Sequence, residues 1–196
     1  LDLEGVLVPE IWIAVAEKTG IEKLRLTTRE VPDYHKLMQG RIDILKANNL
    51  SLKDIQDVIA TVAPLEGAKA FLEELRSKTQ VVILSDTFEE FASPLMKQLG
   101  WPTIFCNSLK VDENDMITGI VMRQEDGKRK AIEALRGLGF KTFAAGDSYN
   151  DLAMIKIADS GCLFRAPENI LKEYPEFPLV TEYSSFLKVI NKFLEK

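Results

Sequence analysis

Three short polar clusters in the sequence carry side chains that could do chemistry. They are Asp2-Leu3-Glu4-Gly5, Ser85-Asp86-Thr87 and Gly146-Asp147-Ser148-Tyr149-Asn150-Asp151. Each cluster follows a short apolar run, and ligands of open α/β sheets gather at the carboxyl ends of strands. Right-handed crossovers between parallel strands bring such ends to one edge of the sheet. We therefore expect carboxylates, a hydroxyl and an amide to converge in one pocket.

The first cluster pairs two acids, Asp2 and Glu4, with Gly5 freeing the turn after them. A carboxylate can attack phosphorus, and a second carboxyl group can protonate the leaving oxygen and later activate water. Taken alone, a polar turn after a buried strand is the commoner explanation of such a pattern. Because the sequence begins at Leu1, directly on this motif and without Met, we expect it to be a fragment of a slightly longer protein.

The third cluster places Asp147 and Asp151 one helical turn apart at the start of a helix. Together with Asp2 they would form a site of hard oxygen ligands that suits Mg²⁺. Asn150 could orient the nucleophile or bind phosphate. Helix capping by Asp147 and Ser148 is the alternative, since both residue types are common caps.

Two further features suit a phosphate group. The hydroxyl of Ser85 and the N–H groups that open the next helix could hold a phosphate oxygen, although a turn serine explains the pattern equally well. Three cations open a later predicted helix, where they oppose the helix dipole unless an anion binds there. Of Lys128, Arg129 and Lys130 we favour Lys128 as the phosphate clamp, with Lys130 as the fallback.

The elements that would position these residues fall into two parts. From about residue 10 to residue 64 the pattern is helical, with helices expected at 10–19, 33–48 and 51–63 around a loop at 27–32. From residue 65 onward, helices at 66–78, 89–99, 128–138, 151–158 and 184–194 alternate with strands at 81–84, 103–106, 109–111, 117–122, 142–145 and 161–164. This alternation predicts an α/β fold with a doubly wound, Rossmann-like parallel sheet. The helical segment 10–64 would be a cap inserted after the first strand, on a catalytic core of 1–9 and 65–196.

Residues of the helical segment could recognise the rest of a substrate. Tyr34, Met38, Arg41 and Leu45 share one helical face. An arginine within such an apolar stripe suggests a partly buried cation that seeks a carboxylate, and snorkelling to solvent is the alternative. Glu10 could meet a substrate ammonium group or merely favour the helix dipole.

Composition excludes some classes of function. The chain has 196 residues, 46% of them hydrophobic, and a net charge of −5 without a basic block, so we expect no nucleic-acid partner. No apolar run approaches the ~20 residues that span a bilayer, so we expect no membrane segment. Cys106 and Cys162 lie far apart in apolar surroundings, which favours reduced thiols and a cytoplasmic location.

Taken in order, these residues resemble the haloacid dehalogenase (HAD) superfamily of phosphatases and, within it, the phosphoserine phosphatase family. The resemblance implies that Asp2 is the nucleophile and Glu4 the general acid and base. It also implies Mg²⁺ held by Asp2, the Glu4 carbonyl and Asp147, with Asp151 supporting the metal. The phosphoryl group would lie among Ser85, Asp86, Lys128 and Asn150, and the serine part of the substrate would meet Glu10, Tyr34 and Arg41.

Two departures from the family pattern affect the expected reaction. Glu4 stands where the family usually has Asp, and Asp86-Thr87 follow the serine where Gly-Gly is usual. Both are similar to a branch described as bifunctional phosphoserine phosphatase/homoserine phosphotransferase. We therefore expect Mg²⁺-dependent hydrolysis of phosphoserine in serine biosynthesis. Transfer of the phosphate to homoserine and hydrolysis of another small phosphometabolite are the alternatives, and a homodimer stays open.

Two other classes of protein share part of this pattern. A receiver domain also has a phosphorylatable Asp near a hydroxyl and a lysine, but such domains are shorter and lack a helical insert. A catalytically inactive binding protein is disfavoured because every group of the motif set is present.

Overall fold

A computed structural model describes residues 1–27, 30–31 and 33–195, and within these ranges it contains nine α-helices and six β-strands. The helices are α1 (Ile11–Thr19), α2 (Tyr34–Ala47), α3 (Leu52–Ala60), α4 (Ala68–Arg76), α5 (Glu89–Gln98), α6 (Gly127–Gly137), α7 (Tyr149–Ile157), α8 (Glu168–Glu173) and α9 (Tyr183–Leu194). The strands are β1 (Val82–Phe88), β2 (Thr103–Val111), β3 (Ile117–Val121), β4 (Phe143–Gly146), β5 (Ser160–Phe164) and β6 (Leu179–Val180). A 3₁₀ turn spans Glu22–Arg25. Part of the predicted loop, namely Thr28, Arg29 and Pro32, lies outside the described residues.

Residues 1–3 join two three-stranded sheets at their centre. The Leu1 amino group donates to the Val82 carbonyl (2.9 Å) and the Leu84 N–H donates to the Leu1 carbonyl (2.8 Å). On the other side, the Asp2 N–H donates to the Ala145 carbonyl (3.0 Å). The order is therefore β3-β2-β1-(1–3)-β4-β5-β6, in which β1 pairs with β2, β4 with β5 and β5 with β6 in parallel. Only β3, which pairs with β2, is antiparallel among these strands.

Helices cover both faces of this sheet. Successive strand residues belong to different hydrophobic clusters: Ile83 lies in one cluster and Leu84 in the other, and Ala145 and Ala144 divide in the same way. Because side chains alternate between the two faces of a strand, each face is packed against its own layer. This arrangement confirms the predicted doubly wound α/β fold.

The segment between Pro9 and Pro64 forms only helices among its described residues. The Asp33 side chain accepts from the Lys36 N–H to cap α2, and Ser51 and Asp54 form the expected capping box of α3. Apolar residues of these helices, such as Trp12 and Met38, belong to the same cluster as Leu3 of the sheet. The division into a cap and a core therefore stays a prediction, because no separate apolar core marks the boundary.

Several elements differ from the expectation. The predicted strands 103–106 and 109–111 are one strand, β2, because its first half pairs with β1 and its second half with β3. Strand β1 continues beyond residue 84 to Phe88, and α7 begins at Tyr149, two residues early. Helix α8 and strand β6 were not predicted, since six and two residues are too short to show a periodicity.

Two expectations from composition can be compared with the structure. Both cysteines are buried and free. None of the helices in the described ranges combines the length and the apolar character that crossing a bilayer requires.

Candidate active site

Three buried or half-buried carboxylates meet at the carboxyl edge of the sheet. Asp2 lies in the central segment, Asp147 follows β4, and Asp151 lies in the first turn of α7. One oxygen of each lies within 4.8 Å of the other two. The expected convergence is thus present for Asp2 of the first polar cluster and for Asp147 and Asp151 of the third.

Lys128, in the first turn of α6, reaches into this group of acids. Its Nζ lies 2.9 Å from Asp2 Oδ1, 2.8 Å from Asp151 Oδ1 and 3.8 Å from Asp86 Oδ2. Burial alone would lower the pKa of Lys128, but the carboxylates around it hold that pKa well above its usual value. Its neighbour Arg129 pairs instead with Asp126 and Glu133 at the surface.

Negative charge exceeds positive charge inside this cluster. Asp2, Asp147 and Asp151 face one lysine, which leaves two charges uncompensated when all three acids are ionised. Burial first, and then the Asp151 carboxylate, raise the pKa of Asp2 to about 8 and that of Asp147 to about 7. The oxygen donors and the two uncompensated negative charges fit a divalent cation, which would return Asp2 and Asp147 to their ionised forms.

Asp151 holds the loop and the lysine at the same time. Its Oδ2 accepts from the N–H groups of Asp147 and Ser148 and from the Ser148 hydroxyl, at 3.0 to 3.1 Å. Its Oδ1 accepts from Lys128, and the residue is fully buried. These hydrogen bonds between Ser148 and Asp151 fix the N-terminus of α7, while the Asp147 carboxylate faces Asp2.

Gly5 and Gly146 allow two carboxylates of the site to lie close to the backbone. A Cβ on Gly5, which has a φ of +73°, would lie 2.4 Å from Asp147 Oδ2. A Cβ on Gly146 would lie 2.1 Å from Asp151 Cγ. Any larger residue at either position would displace a carboxylate of the site.

Glu4 is held by the first helix of the insert. Its Oε2 accepts from the Ile11 N–H (2.8 Å). This N–H lies at the N-terminus of α1, where backbone donors have no partner within the helix and suit an anion. Burial, followed by the Glu10 carboxylate, raises the pKa of Glu4 well above its usual value. Glu10 itself is exposed, and its charge also raises the pKa of Asp147. Glu10 therefore lies on the rim of the site.

Ser85, Asp86 and Thr87 form a bulge between the two paired parts of β1. Leu84 pairs with Phe105, and the next pair is Phe88 with Asn107, so three residues of β1 face one of β2. Within the bulge, the buried Ser85 hydroxyl accepts from the Thr87 N–H (3.2 Å). The Asp86 side chain is 44% exposed and points its carboxylate toward Lys128. Bulges of this kind re-aim side chains near functional sites.

Two residues of α2 reach the same region. The Tyr34 hydroxyl donates to the Asp86 carbonyl (3.1 Å). Arg41 is only 7% exposed, lies over the Trp12 ring (4.6 Å to its centre) and donates to the Leu26 carbonyl (2.7 Å). Its Nε has no hydrogen-bond partner among the residues that the structure describes. Burial lowers the pKa of Arg41 to about 10, although the nearby Glu4 opposes that shift.

The predicted site residue Asn150 makes no hydrogen bond to the described site residues, and two residues that do contact site residues were not predicted from the sequence. Asn150 is exposed, and its side chain makes no hydrogen bond in the described part of the chain. Asn107 and Trp12 were not singled out, although Asn107 contacts the Asp86 carbonyl and Trp12 supports Arg41. A polar residue within an apolar strand was the available signal for Asn107, whereas no local pattern marks Trp12.

Comparisons with known proteins agree with this geometry. Residues 1–159 match the family model of haloacid dehalogenase-like hydrolases. The chain is 54% identical to the phosphoserine phosphatase ThrH of Pseudomonas aeruginosa, over 99% of this chain and 97% of that protein. It is 31% identical to a phosphoserine phosphatase of Streptococcus thermophilus, over 89% and 86% of the two chains.

Solved structures show the same fold. A phosphoserine phosphatase in its apo form superposes with a TM-score of 0.77 at 24% identity, covering 95% of each chain. A substrate-bound phosphoserine phosphatase complex gives a TM-score of 0.75 at 21% identity, covering 96% and 95%. These matches agree poorly with the receiver-domain alternative. From its sequence motifs, its fold and its relatives, the chain belongs to the haloacid dehalogenase-like hydrolases and, among them, to the phosphoserine phosphatase family of phosphoric monoester hydrolases.

Proposed function

We propose that this protein hydrolyses O-phosphoserine to serine and phosphate through an aspartyl-phosphate on Asp2. The observation that carries the proposal is the contact of Lys128 with Asp2 inside a buried acidic cluster. A phosphoryl group in line with Asp2 would lie beside a lysine that can neutralise its charge. Positioning and charge stabilisation of this kind supply most of the catalysis in phosphoryl transfer.

The protons of the reaction are assigned to Glu4. Burial and the Glu10 carboxylate raise its pKa and so favour the protonated carboxyl group, which suits a group that protonates the serine oxygen as the ester bond breaks. The resulting carboxylate can then take a proton from the water that attacks the aspartyl-phosphate. Its hydrogen bond to the Ile11 N–H fixes one carboxylate oxygen and so orients the carboxyl group for this exchange.

We assign a magnesium ion to the acidic cluster. Asp2, Asp147 and the Glu4 backbone carbonyl would hold it, with Asp151 as a support. When bound, Mg²⁺ would supply positive charge between the Asp2 carboxylate and the phosphate dianion, which otherwise repel each other. The two negative charges that stay uncompensated when all three acids are ionised support this assignment.

The amino-acid part of the substrate would lie under the insert of residues 10–64, which we propose acts as a cap. The Nε of buried Arg41, which has no partner within the described ranges, supports binding of the substrate carboxylate, and exposed Glu10 at the rim suits its ammonium group. Ser85 and Lys128 would hold the phosphate, with Asn150 contributing only if its side chain turns inward. Closure of the helical insert would exclude bulk water while the ester bond breaks.

Transfer of the phosphate to homoserine is the second candidate. Glu4 and Asp86 stand where the motifs of the family usually have other residues, and both lie at the site. Both reactions would share the aspartyl-phosphate, so only the acceptor distinguishes them. An assay of phosphoserine with added homoserine would reveal phosphohomoserine if transfer occurs. Free phosphate alone would leave hydrolysis as the reaction.

The first prediction concerns Asp2→Asn. We expect phosphate release from phosphoserine to fall by about 10⁴-fold or more, because the nucleophile is lost. The thermal midpoint should be equal or higher, because one buried charge is removed and Lys128 keeps Asp151 as its partner. Asp57→Asn, at an exposed ion pair, is the control and should keep full activity. Substantial turnover by Asp2→Asn would contradict the role of Asp2.

The second prediction separates the two ends of the substrate. Arg41→Lys keeps the charge but loses the guanidinium geometry, so KM for phosphoserine should rise by about tenfold or more. KM for p-nitrophenyl phosphate, which has no amino-acid carboxylate, should change by less than about twofold. Arg76→Lys is the matched control, because its guanidinium also donates to a backbone carbonyl but at the surface. Equal increases for both substrates would rule out a carboxylate clamp.

The third prediction tests the metal site through its glycine. In Gly5→Ala the new methyl group would meet Asp147, so the Mg²⁺ concentration at half-maximal activity should rise by about tenfold or more. Gly20→Ala is the matched control, since Gly20 has a similar φ of +70° but its added Cβ would meet no atom of the described residues within 4 Å. Calorimetric titration with Mg²⁺ gives the same comparison without turnover. An unchanged affinity in Gly5→Ala would place the metal elsewhere.

A further inference from the structure

We infer that Asn107 and Tyr34 are positioning residues that fix the phosphate-binding bulge by donating to the same acceptor, the backbone carbonyl of Asp86. Asn107 Nδ2 and the Tyr34 hydroxyl both lie 3.1 Å from that oxygen. This inference rests on the proposed function. It gives Tyr34 a different role from the predicted recognition of the serine part of the substrate.

The bulge needs such support because it has lost its own ladder bonds. Pairing between β1 and β2 breaks after Leu84 and resumes at Phe88, so the Asp86 carbonyl lies in the interrupted stretch. A partly buried carbonyl is costly to leave unpaired, and its oxygen can accept two hydrogen bonds. Both positions are filled here, one by a side chain of β2 and the other by a side chain of α2.

Asn107 also connects the two chain segments that carry phosphate-binding groups. It is 5% exposed and lies where β2 leaves β1 and begins to pair with β3. Its Oδ1 accepts from the Arg123 N–H (3.1 Å), in the segment that leads into α6 and Lys128. One amide therefore fixes the bulge of Ser85 relative to the approach to Lys128.

Tyr34 makes the same carbonyl sensitive to the helical insert. Its hydroxyl crosses from α2 to the bulge, and burial followed by the nearby Asp86 raises its pKa, so the hydroxyl stays a donor at all ordinary pH values. The bulge is completely held only when α2 lies against it. Phosphate binding and the position of the insert would thus be coupled through one oxygen atom.

Inorganic phosphate is the probe that separates positioning from substrate recognition, because it has no amino-acid part. For Tyr34→Phe in the presence of Mg²⁺, we expect the Kd of inorganic phosphate to rise by about tenfold. KM for phosphoserine and for p-nitrophenyl phosphate should rise by a similar factor. If only KM for phosphoserine rises while the phosphate Kd is unchanged, Tyr34 binds the serine part and the inference is wrong.

Asn107→Asp keeps the shape of the side chain and the acceptor for Arg123, but it removes the donor to Asp86. The phosphate Kd should again rise by about tenfold, while Asn48→Asp should leave it unchanged. Asn48 is the matched control because its amide donates to the Ile44 carbonyl (2.8 Å) on the exposed end of α2. A lower thermal midpoint with an unchanged phosphate Kd would mean that Asn107 is only structural, which overturns the inference.

The double variant Tyr34→Phe with Asn107→Asp tests whether the two donors act through one carbonyl. Their effects on the phosphate Kd should not multiply, since both bonds end on the same atom. Fully multiplicative effects would refute the shared acceptor. If Asn107→Asp does not fold, the comparison of inorganic phosphate with phosphoserine in Tyr34→Phe decides the question. Turnover of phosphoserine by the unaltered protein tests the proposed function separately, because phosphate binding is measured without turnover.

Discussion

The excess of buried negative charge around Lys128 is the constraint on which the site depends. Asp2 and Asp151 both contact its ammonium group, and Asp147 lies beside them without a lysine of its own. In a medium of low dielectric constant such an arrangement is unfavourable unless further positive charge enters. The divalent cation that we propose for this cluster would supply that charge.

The fold makes this concentration of charge possible. The central segment of residues 1–3 is bonded on both sides, so Asp2 cannot move away from the acids that follow β4. Gly5 and Gly146 remove the side chains that would otherwise keep the carboxylates and the backbone apart. Asp151 then fixes both the loop and the lysine, because its two oxygens serve different partners.

The helical insert is fastened to the site at several separate points rather than resting on it as a loose lid. The N-terminus of α1 holds Glu4, and Tyr34 of α2 holds the Asp86 carbonyl. At the far end, the N–H groups of Leu52 and Lys53 donate to the carbonyl and the carboxylate of Asp115 in the turn between β2 and β3. Each bond connects a helix end or side chain of the insert with a loop of the sheet. Opening of the insert would therefore release Glu4 and the bulge of residues 85–87 together.

Much of this could be read from the sequence, and the reason is local. Neighbouring residues encode the alternation of apolar strands with helices, the capping box at Ser51 and the acids that follow the strands. The doubly wound sheet and the acidic members of the site were therefore predictable. The position of Lys128, Arg129 and Lys130 at the start of a helix was equally local, but it could not by itself distinguish Lys128 from Lys130.

Only the tertiary structure determined the contacts between residues that are distant along the chain. Asp2 and Asp151 share Lys128, and Trp12 supports Arg41. The Asp86 carbonyl accepts two hydrogen bonds from other elements. No local sequence pattern encodes these contacts, because each joins separate elements. The merging of two predicted strands into β2 has the same origin, because pairing with β1 and then with β3 outweighs the polar break at Asn107. Sequence by itself determined which groups are present and which edge of the sheet they occupy. Packing determined which of them touch, since hydrogen bonds and ion pairs depend on distances that only the folded chain sets.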